Sequence, residues 1–176
     1  MLFKRLHFIF ALSIVLLITA GCDPSSTPKD DYYTTTKSTD LSQENIKQIH
    51  IGSNKYNVTK VFGKPTSIEV VSQPKSEYYA YGESKDNSGI EFKLINNKVA
   101  SYLLYSNKYK TTKGVAVGSS KKDVLRSYGE NYYKRNDTGE KVFGYFDKTN
   151  NINIEFDIRD NEVIGIHLSR FKKTDK

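Results

Sequence analysis

Few residues of this chain are of types that perform covalent chemistry. Nucleophilic catalysis needs an activated Ser, Thr or Cys within reach of a base, and the chain contains one cysteine, Cys22, and three histidines, His7, His50 and His167. His7 lies in a predicted targeting segment, and Cys22 directly follows that segment. His50 and His167 occupy non-equivalent positions of an internal repeat, so their spacing does not pair them. We therefore predict that the protein is not an enzyme and has no catalytic residue.

Carboxylates offer a second kind of chemistry. Glu91 and Glu155 are repeat equivalents that could supply the paired acids of a glycoside hydrolase, but strand alternation predicts that Glu155 and Asp157 face water. A calcium loop needs oxygen ligands at ordered intervals around a glycine turn, and a zinc site needs clustered Cys and His. We therefore expect no metal and no cofactor, although acidic residues do gather in the second half of the chain: Asp147, Glu155, Asp157, Asp160 and Glu162.

The N-terminus predicts export. Lys4 and Arg5 precede an apolar run over 8–18, as in a secretory signal peptide, and this run is shorter than the ~20 residues that span a bilayer. Thr19-Ala20-Gly21-Cys22 resembles a bacterial lipobox, with Thr where Leu is usual. The resemblance implies that Cys22 carries lipid and anchors the protein on the extracellular face of the cell membrane. An ordinary secreted protein is the alternative.

The domain organisation follows from composition. Residues 1–21 form the predicted lipoprotein signal peptide, and residues 22–44 are rich in Ser, Thr, Pro and Asp, which predicts a flexible linker. Two repeats follow, over 45–108 and over 109–176, the second with a basic C-terminal tail.

An internal repeat is the most informative feature of the folded part. Ile51-Gly52-Ser53 recurs as Val117-Gly118-Ser119, 66 residues later, and Ile90-Glu91-Phe92 recurs as Ile154-Glu155-Phe156, 64 residues later. A two-residue difference in the loop after the first glycine pair reconciles the two offsets. Each unit shows a short helical pattern and then alternating strands. We predict an α+β fold in which two units, each a short helix followed by a three- or four-stranded antiparallel meander, pack into one pseudo-symmetric domain, because one unit alone is too small to bury a sufficient core.

The first unit carries the pattern G-x₅-V-x₄-G-x-P at Gly52, Val58, Gly63 and Pro65. This spacing resembles the helix-to-sheet motif of small bacterial lipoproteins that assist outer-membrane assembly. It also resembles the tandem units of the β-lactamase inhibitor protein and the CAP-associated N-terminal domain of Gram-positive exported proteins, over roughly residues 49–170. The second unit departs from the motif with Asn131 in place of the proline. The resemblance implies a fold and protein binding, and it transfers no catalytic residue.

A formal charge of +7 raises the question of an anionic partner. Outside the membrane, anionic lipid head groups or phosphate-rich wall polymers are better candidates than nucleic acid, and solubility alone is the other explanation. The basic residues concentrate between the repeats and at the end of the chain: Lys108, Lys110, Lys113, Arg170, Lys172, Lys173 and Lys176.

Thirteen tyrosines without tryptophan are more than a core needs, which indicates either a protein-binding surface or tyrosines that simply cover a half-exposed sheet. Alternation predicts that Ala100, Tyr102 and Leu104 point inward, as do Ile164, Ile166 and Leu168. The predicted outward contact residues are Tyr78, Leu103 and Tyr105. We predict a non-enzymatic, lipid-anchored module that binds an envelope or extracellular protein. A cell-wall-associated enzyme or accessory factor, or a binder of anionic wall polymer, remains the alternative.

Overall fold

The computed structural model describes residues 29–84, 87–137 and 139–171. The predicted signal peptide, Cys22 and the end of the basic tail lie outside these residues. Within them, no helix is both long and apolar enough to cross a membrane.

The described residues form three short helices and one antiparallel sheet of eight strands, in the order β1-β2-β3-β4-β8-β7-β6-β5. Two four-stranded meanders, each preceded by a helix, build the sheet, which confirms the predicted α+β architecture. The helices are α1 (Lys29–Thr35), α2 (Lys55–Phe62) and α3 (Lys121–Tyr128). The strands are β1 (Ser67–Ser72), β2 (Lys75–Gly82), β3 (Ser88–Ile95), β4 (Lys98–Leu104), β5 (Tyr133–Asp137), β6 (Glu140–Asp147), β7 (Ile152–Arg159) and β8 (Glu162–Arg170).

The repeated helices begin and end for the same local reasons. The side chain of Asn54 accepts a hydrogen bond from the Asn57 N–H at 3.0 Å at the start of α2. At the start of α3, Ser120 and Asp123 form a capping box. Both helices end at a glycine with positive φ, 79° at Gly63 and 86° at Gly129, a conformation that other residues rarely adopt.

The strand pairing of the first unit recurs between equivalent residues of the second unit. Tyr79 lies opposite Phe92 in the first unit, and Phe143 lies opposite Phe156 in the second. The two meanders join where β4 pairs with β8 and Leu103 lies opposite His167. These two residues are 64 positions apart, which is the repeat offset itself. A local twofold axis therefore passes between their side chains.

The length difference between the units lies at a hairpin tip. In the first unit β1 and β2 pair as far as Ser72 opposite Lys75, whereas β5 and β6 pair as far as Asp137 opposite Glu140. The paired part of the second hairpin is thus shorter by one residue on each strand. The two-residue difference in length, which the sequence predicts in the loop after the first glycine pair, therefore lies in the first hairpin of each meander.

The core lies between the sheet and the helices α2 and α3. Phe62 of α2 packs on Phe92 with 5.0 Å between ring centroids, and Tyr128 of α3 packs on Phe156 at the same distance. Glu44, directly before the first unit, is bound to the second unit, because its buried carboxylate accepts hydrogen bonds from the Tyr128 hydroxyl at 2.7 Å and from the Thr112 N–H at 3.1 Å.

The prediction of inward residues is wrong by one position in β4 and in β8. A bulge in each unit leaves Ala100 of β4 and Ile164 of β8 as extra residues in the pairing. Val99 and Val163 take the inward positions and are each only 1% exposed. The other predicted inward residues of these strands are buried: Tyr102, Leu104, Ile166 and Leu168.

The predicted flexible linker is folded from residue 29 onward. Residues 29–35 form α1, and Leu41 is 1% exposed and donates its N–H to Asp147 Oδ2 at 2.9 Å. Polar composition correctly indicates the absence of periodicity here. It does not reveal that Tyr32 and Tyr33 find aromatic partners on the sheet.

Candidate functional site

The outer face of the sheet, opposite α2 and α3, carries the predicted contact residues. One row of outward residues crosses all eight strands, and each member lies opposite the next: Ser67, Ala80, Glu91, Leu103, His167, Glu155, Gly144 and Tyr133. The local twofold axis divides this row into two related halves. The halves differ in what covers them.

Helix α1 covers the half that belongs to the second unit. The Tyr32 ring stacks on Tyr133 with 5.2 Å between centroids. The Tyr33 ring packs against Phe146 at 5.2 Å and against Phe171 at 5.3 Å. These rings cover part of the outer surface of β5 and β6.

Beneath α1 lies a buried ion network centred on Glu155, which is 2% exposed. Its carboxylate accepts hydrogen bonds from the Tyr133 hydroxyl and Arg135 Nε, both at 2.7 Å, and pairs with Lys29 Nζ at 2.5 Å. Burial opposes ionisation, but the bonds and charges of Arg135 and Lys29 outweigh it and hold the pKa of Glu155 at about 2. The prediction that this carboxylate faces water is wrong, because the outer face is covered here.

Two neighbours of Glu155 have shifted pKa values in opposite directions. Burial, reinforced by the Glu155 charge, raises the pKa of Asp157 to about 6. Burial and the Lys29 charge lower the pKa of His167 to about 4. His167 Nδ1 lies 4.0 Å from Glu155 Oε2, and the residue is half-buried rather than solvated. His50 is exposed at the start of the first unit, with Nδ1 2.9 Å from the Ile51 carbonyl oxygen.

The half that belongs to the first unit is more open, and we call it the open face: Tyr78, Glu91, Lys93, Leu103 and Tyr105. Tyr78 and Leu103 are half-buried, and Tyr105 is 49% exposed. Lys93 Nζ lies 5.3 Å from the centroid of the Tyr78 ring. The three predicted contact residues therefore lie on the outer face of β2 and β4 and just beyond β4.

Glu91 is the counterpart of Glu155, but within the described residues it makes no ion pair. Burial and the charge of Glu69 raise its pKa. At the same position of the repeat, Glu155 is thus an ionised carboxylate paired with cations, whereas Glu91 has no ion-pair partner among the described residues.

Sequence reasoning did not identify Lys93 of the open face or the cations around Glu155. A signal for Lys93 exists, because its repeat equivalent is Asp157 and a change of charge between copies indicates a changed environment. Lys29 gives no such signal, because it precedes the repeats. Among the described residues, no group of three or more His, Cys, Asp or Glu is placed to hold a metal ion. Asp147, a member of the expected acidic cluster, instead accepts hydrogen bonds from the backbone N–H groups of Leu41, Thr149 and Asn150.

Comparison with known proteins identifies similar folds but no sequence family. No family model matches the chain, and no curated protein matches it. An extracellular protein containing an SCP domain from Bacillus anthracis aligns with a TM-score of 0.51 at 13% identity, over 76% of this chain and 49% of that one. A cysteine-rich secretory protein from Staphylococcus aureus aligns with a TM-score of 0.47 at 10% identity, over 68% and 44%.

A candidate β-lactamase inhibitor protein from Streptococcus mutans aligns with a TM-score of 0.31 at 13% identity, over 82% of this chain and 98% of that one. This chain spans about half the length of the first structure. The likeness to the extracellular Bacillus protein therefore concerns the fold alone, and the residues of the outer face must indicate function.

Proposed function

We propose that this protein is an exported, lipid-anchored bacterial protein without enzymatic activity that binds another protein at the cell envelope through its open face. The proposal rests on one observation: α1 covers the outer face of the second unit, whereas the related face of the first unit has no such cover among the described residues. It leaves Tyr105 exposed and Leu103 half-buried, and Glu91 forms no ion pair there. The lipobox resemblance at Cys22 supports the anchor. The extracellular description of the Bacillus anthracis protein with a similar fold supports export.

The contacts of the covered face support one kind of partner for the open face. On the second unit, one short segment supplies Lys29 to Glu155 and a tyrosine ring to Tyr133. The open face presents Glu91 at the related position, with aromatic and aliphatic side chains beside it. A partner segment that carries a basic residue and a neighbouring large apolar side chain would complement this surface.

Energetic considerations favour such a partner. Apolar surface contributes about 25 cal/mol per Å² when it is removed from water, and tyrosines are among the residues whose truncation most weakens protein interfaces. A cation placed against Glu91 would offset the burial that now raises its pKa.

Pull-down from detergent-solubilised envelopes tests the proposal. The soluble form comprises residues 22–176 with Cys22→Ser, and retains α1. We expect one stoichiometric protein partner whose capture depends weakly on salt and is lost with Leu103→Ser/Tyr105→Ser. The matched control is Tyr56→Ser, because Tyr56 is a 68% exposed tyrosine on α2, away from the outer face. Equal capture by both variants, or capture of wall material alone, would contradict the proposal.

Reversing the charge of Glu91 tests whether this carboxylate recognises the partner or whether the partner only adheres to the exposed tyrosines. Glu91→Lys should abolish capture of a partner that presents a basic residue, while Glu69→Lys, at an exposed position of the edge strand β1, should weaken it less. If both substitutions act equally, a general charge effect explains binding and Glu91 is not the recognition element.

The alternative of a wall-hydrolysing enzyme receives less support from the site. A paired-carboxylate mechanism needs both acids to reach the substrate. Glu155 is 2% exposed, and its oxygens are occupied by Tyr133, Arg135 and Lys29.

A further inference from the structure

The duplication has placed a related groove at the end of each meander. The first groove is lined by Lys75, Ser76, Glu77, Leu94, Asn96 and Asn97. Every one of these residues has its counterpart 64 positions later in the lining of the second groove, which also includes Lys121 and Phe143. The two grooves therefore allow a direct comparison of what each unit has kept and changed.

The charge of the groove has changed between the copies. Beside the first groove, Lys55 of α2 pairs with Glu77, with Nζ 2.6 Å from Oε2. The counterparts of these two residues are Lys121 and Lys141, so the acid has been replaced by a second base. An ion pair in one unit corresponds to two cations in the other.

A third lysine joins them at the edge strand. Lys134 of β5 lies opposite Phe143 of β6, and its counterpart in the first unit is an isoleucine, Ile68. Within the described residues, none of Lys121, Lys134 and Lys141 forms an ion pair. We call these three residues the lysine triad.

Two members of the triad lie near one aromatic ring, and the third lines the same cleft. Nζ of Lys121 lies 4.8 Å and Nζ of Lys134 lies 5.6 Å from the centroid of Phe143. All three lysines and the ring line one cleft of about 260 Å³, several times the ~30 Å³ share of a water molecule, and no acidic side chain lines it among the described residues. Like charges gathered in this way repel one another, so a bound anion would stabilise the arrangement.

Nearby acids do not neutralise the triad. Glu140 accepts a hydrogen bond from Arg159 Nε at 2.9 Å. Asp123 is held by Ser120 and Arg126 at the start of α3. Asp160 lines the second groove and lies near the Arg159 guanidinium. The cation-rich part of the surface is the cleft between β5, β6 and the first residue of α3.

We infer that the lysine triad binds a phosphate group, with the organic part of the ligand against Phe143. The phosphate belongs either to a small phosphate ester or to a repeating wall polymer, and the chemistry of recognition is the same for both. This site is separate from the open face. It also differs from the basic segments predicted from the sequence, since Lys108 there lies 3.8 Å from Glu83 and Lys113 lies over the ring of Tyr128.

Titration of the soluble 22–176 form by NMR and calorimetry tests the site. The probes are inorganic phosphate, glycerol 3-phosphate and a poly(glycerol phosphate) oligomer. We expect the amide signals of β5 and β6 to shift and the affinity to fall with increasing salt. Lys141→Glu restores the acid of the first unit beside Lys121, so it should fold normally and weaken binding by about tenfold or more.

Lys122→Glu provides the matched control, because Lys122 is exposed on the same helix beside Lys121 but does not line the cleft. It should retain most of the affinity. Equal losses in the two variants, or no shift of β5 and β6 with any probe, would overturn the proposal. Tighter binding of the oligomer than of glycerol 3-phosphate at equal phosphate concentration identifies the polymer as the source, and equal binding identifies the small ester. Leu103→Ser/Tyr105→Ser should leave all these values unchanged, which separates this site from the proposed protein-binding face.

Discussion

Glu155 shows how a single residue couples the outer face to the N-terminal segment. A buried carboxylate without partners would take up a proton, because the charged form loses its hydration. Here Arg135 and Lys29 compensate for that loss, and Lys29 belongs to α1 rather than to the sheet. The docked α1 therefore supplies part of the stabilisation of the ionised state, beside the contribution of Arg135 from the sheet.

Replacing Glu155 by Gln should destabilise the fold by about 3 kcal/mol, because it leaves the Arg135 guanidinium partly buried without its main counter-charge. Folding lowers the pKa of Glu155 from 4.5 to about 2. The stabilisation is therefore complete above about pH 4.5 and is lost as the pH falls toward 2. Urea unfolding of wild type and variant at pH 7 and pH 3 measures both effects. Glu91→Gln is the control and should change stability little, and an equal loss in the two variants would refute the assignment.

Asp157 should behave in the opposite sense. Folding raises its pKa from 3.8 to about 6, so the folded state holds the proton more tightly and ionised Asp157 costs stability above pH 6. Asp157→Asn should stabilise the protein by about 1–2 kcal/mol at pH 7, allowing for its partial exposure. This gain should vanish below about pH 3.8. Thermal unfolding across this pH range provides the measurement, and a gain that persists at pH 3.5 would contradict the explanation.

At the residue scale, sequence alternation predicts which face a strand residue occupies but not what lies above that face. It places Tyr78, Leu103, Tyr105 and Glu155 correctly on the outer surface. It misses the burial of Glu155, because α1 reaches it from more than a hundred residues away. It also misplaces Ile164, because a bulge changes the register by one residue and leaves no local trace in the composition.

At the scale of elements, the two helices carry caps of different strength. Asn54 accepts one backbone hydrogen bond, whereas Ser120 and Asp123 satisfy each other's backbone N–H groups. The sequence predicts both helices, because an apolar stripe and a terminal glycine are local signals. It predicts the structure of α1 poorly, because that helix is short and its partners belong to the sheet.

Ser120→Ala should therefore destabilise the protein by about 1 kcal/mol, because it removes the acceptor for the Asp123 N–H at the start of α3. Ser120→Asn should retain most of the stability, since asparagine serves as the cap at the equivalent position of α2. Chemical denaturation of the two variants measures the difference. If the alanine variant matches wild type, the capping box contributes nothing to the folded state.

At the scale of the molecule, the fold is a single sheet shared by two units. Strands β4 and β8 join them, and Glu44, directly before the first unit, accepts hydrogen bonds from Tyr128 and Thr112 of the second. The repeat predicts this pseudo-symmetry, because matched motifs at fixed offsets imply matched structures. The relative placement of the units and the covering of one face by α1 depend on contacts that no repeat encodes.

Separate fragments 29–108 and 109–176 should each remain largely unfolded and should assemble when mixed, because each unit is small and their sheets complete one another. Circular dichroism and NMR of the single fragments and of the equimolar mixture test this. Tyr128→Phe in the second fragment should weaken assembly by about tenfold, because it removes a hydrogen bond to the buried Glu44 carboxylate across the cut. Dispersed NMR signals from either fragment alone would show that the unit is self-sufficient.

The pair on the twofold axis has a further consequence. In a symmetric dimer of single units, each residue next to the axis would meet a copy of itself, so a titratable side chain there would confront its own kind. Joining both units in one chain removes that constraint. Leu103 on one side belongs to the open face, and His167 on the other lies next to the ion network. The two residues on the axis are therefore free to differ, and the two halves of the outer face begin to differ at this same pair.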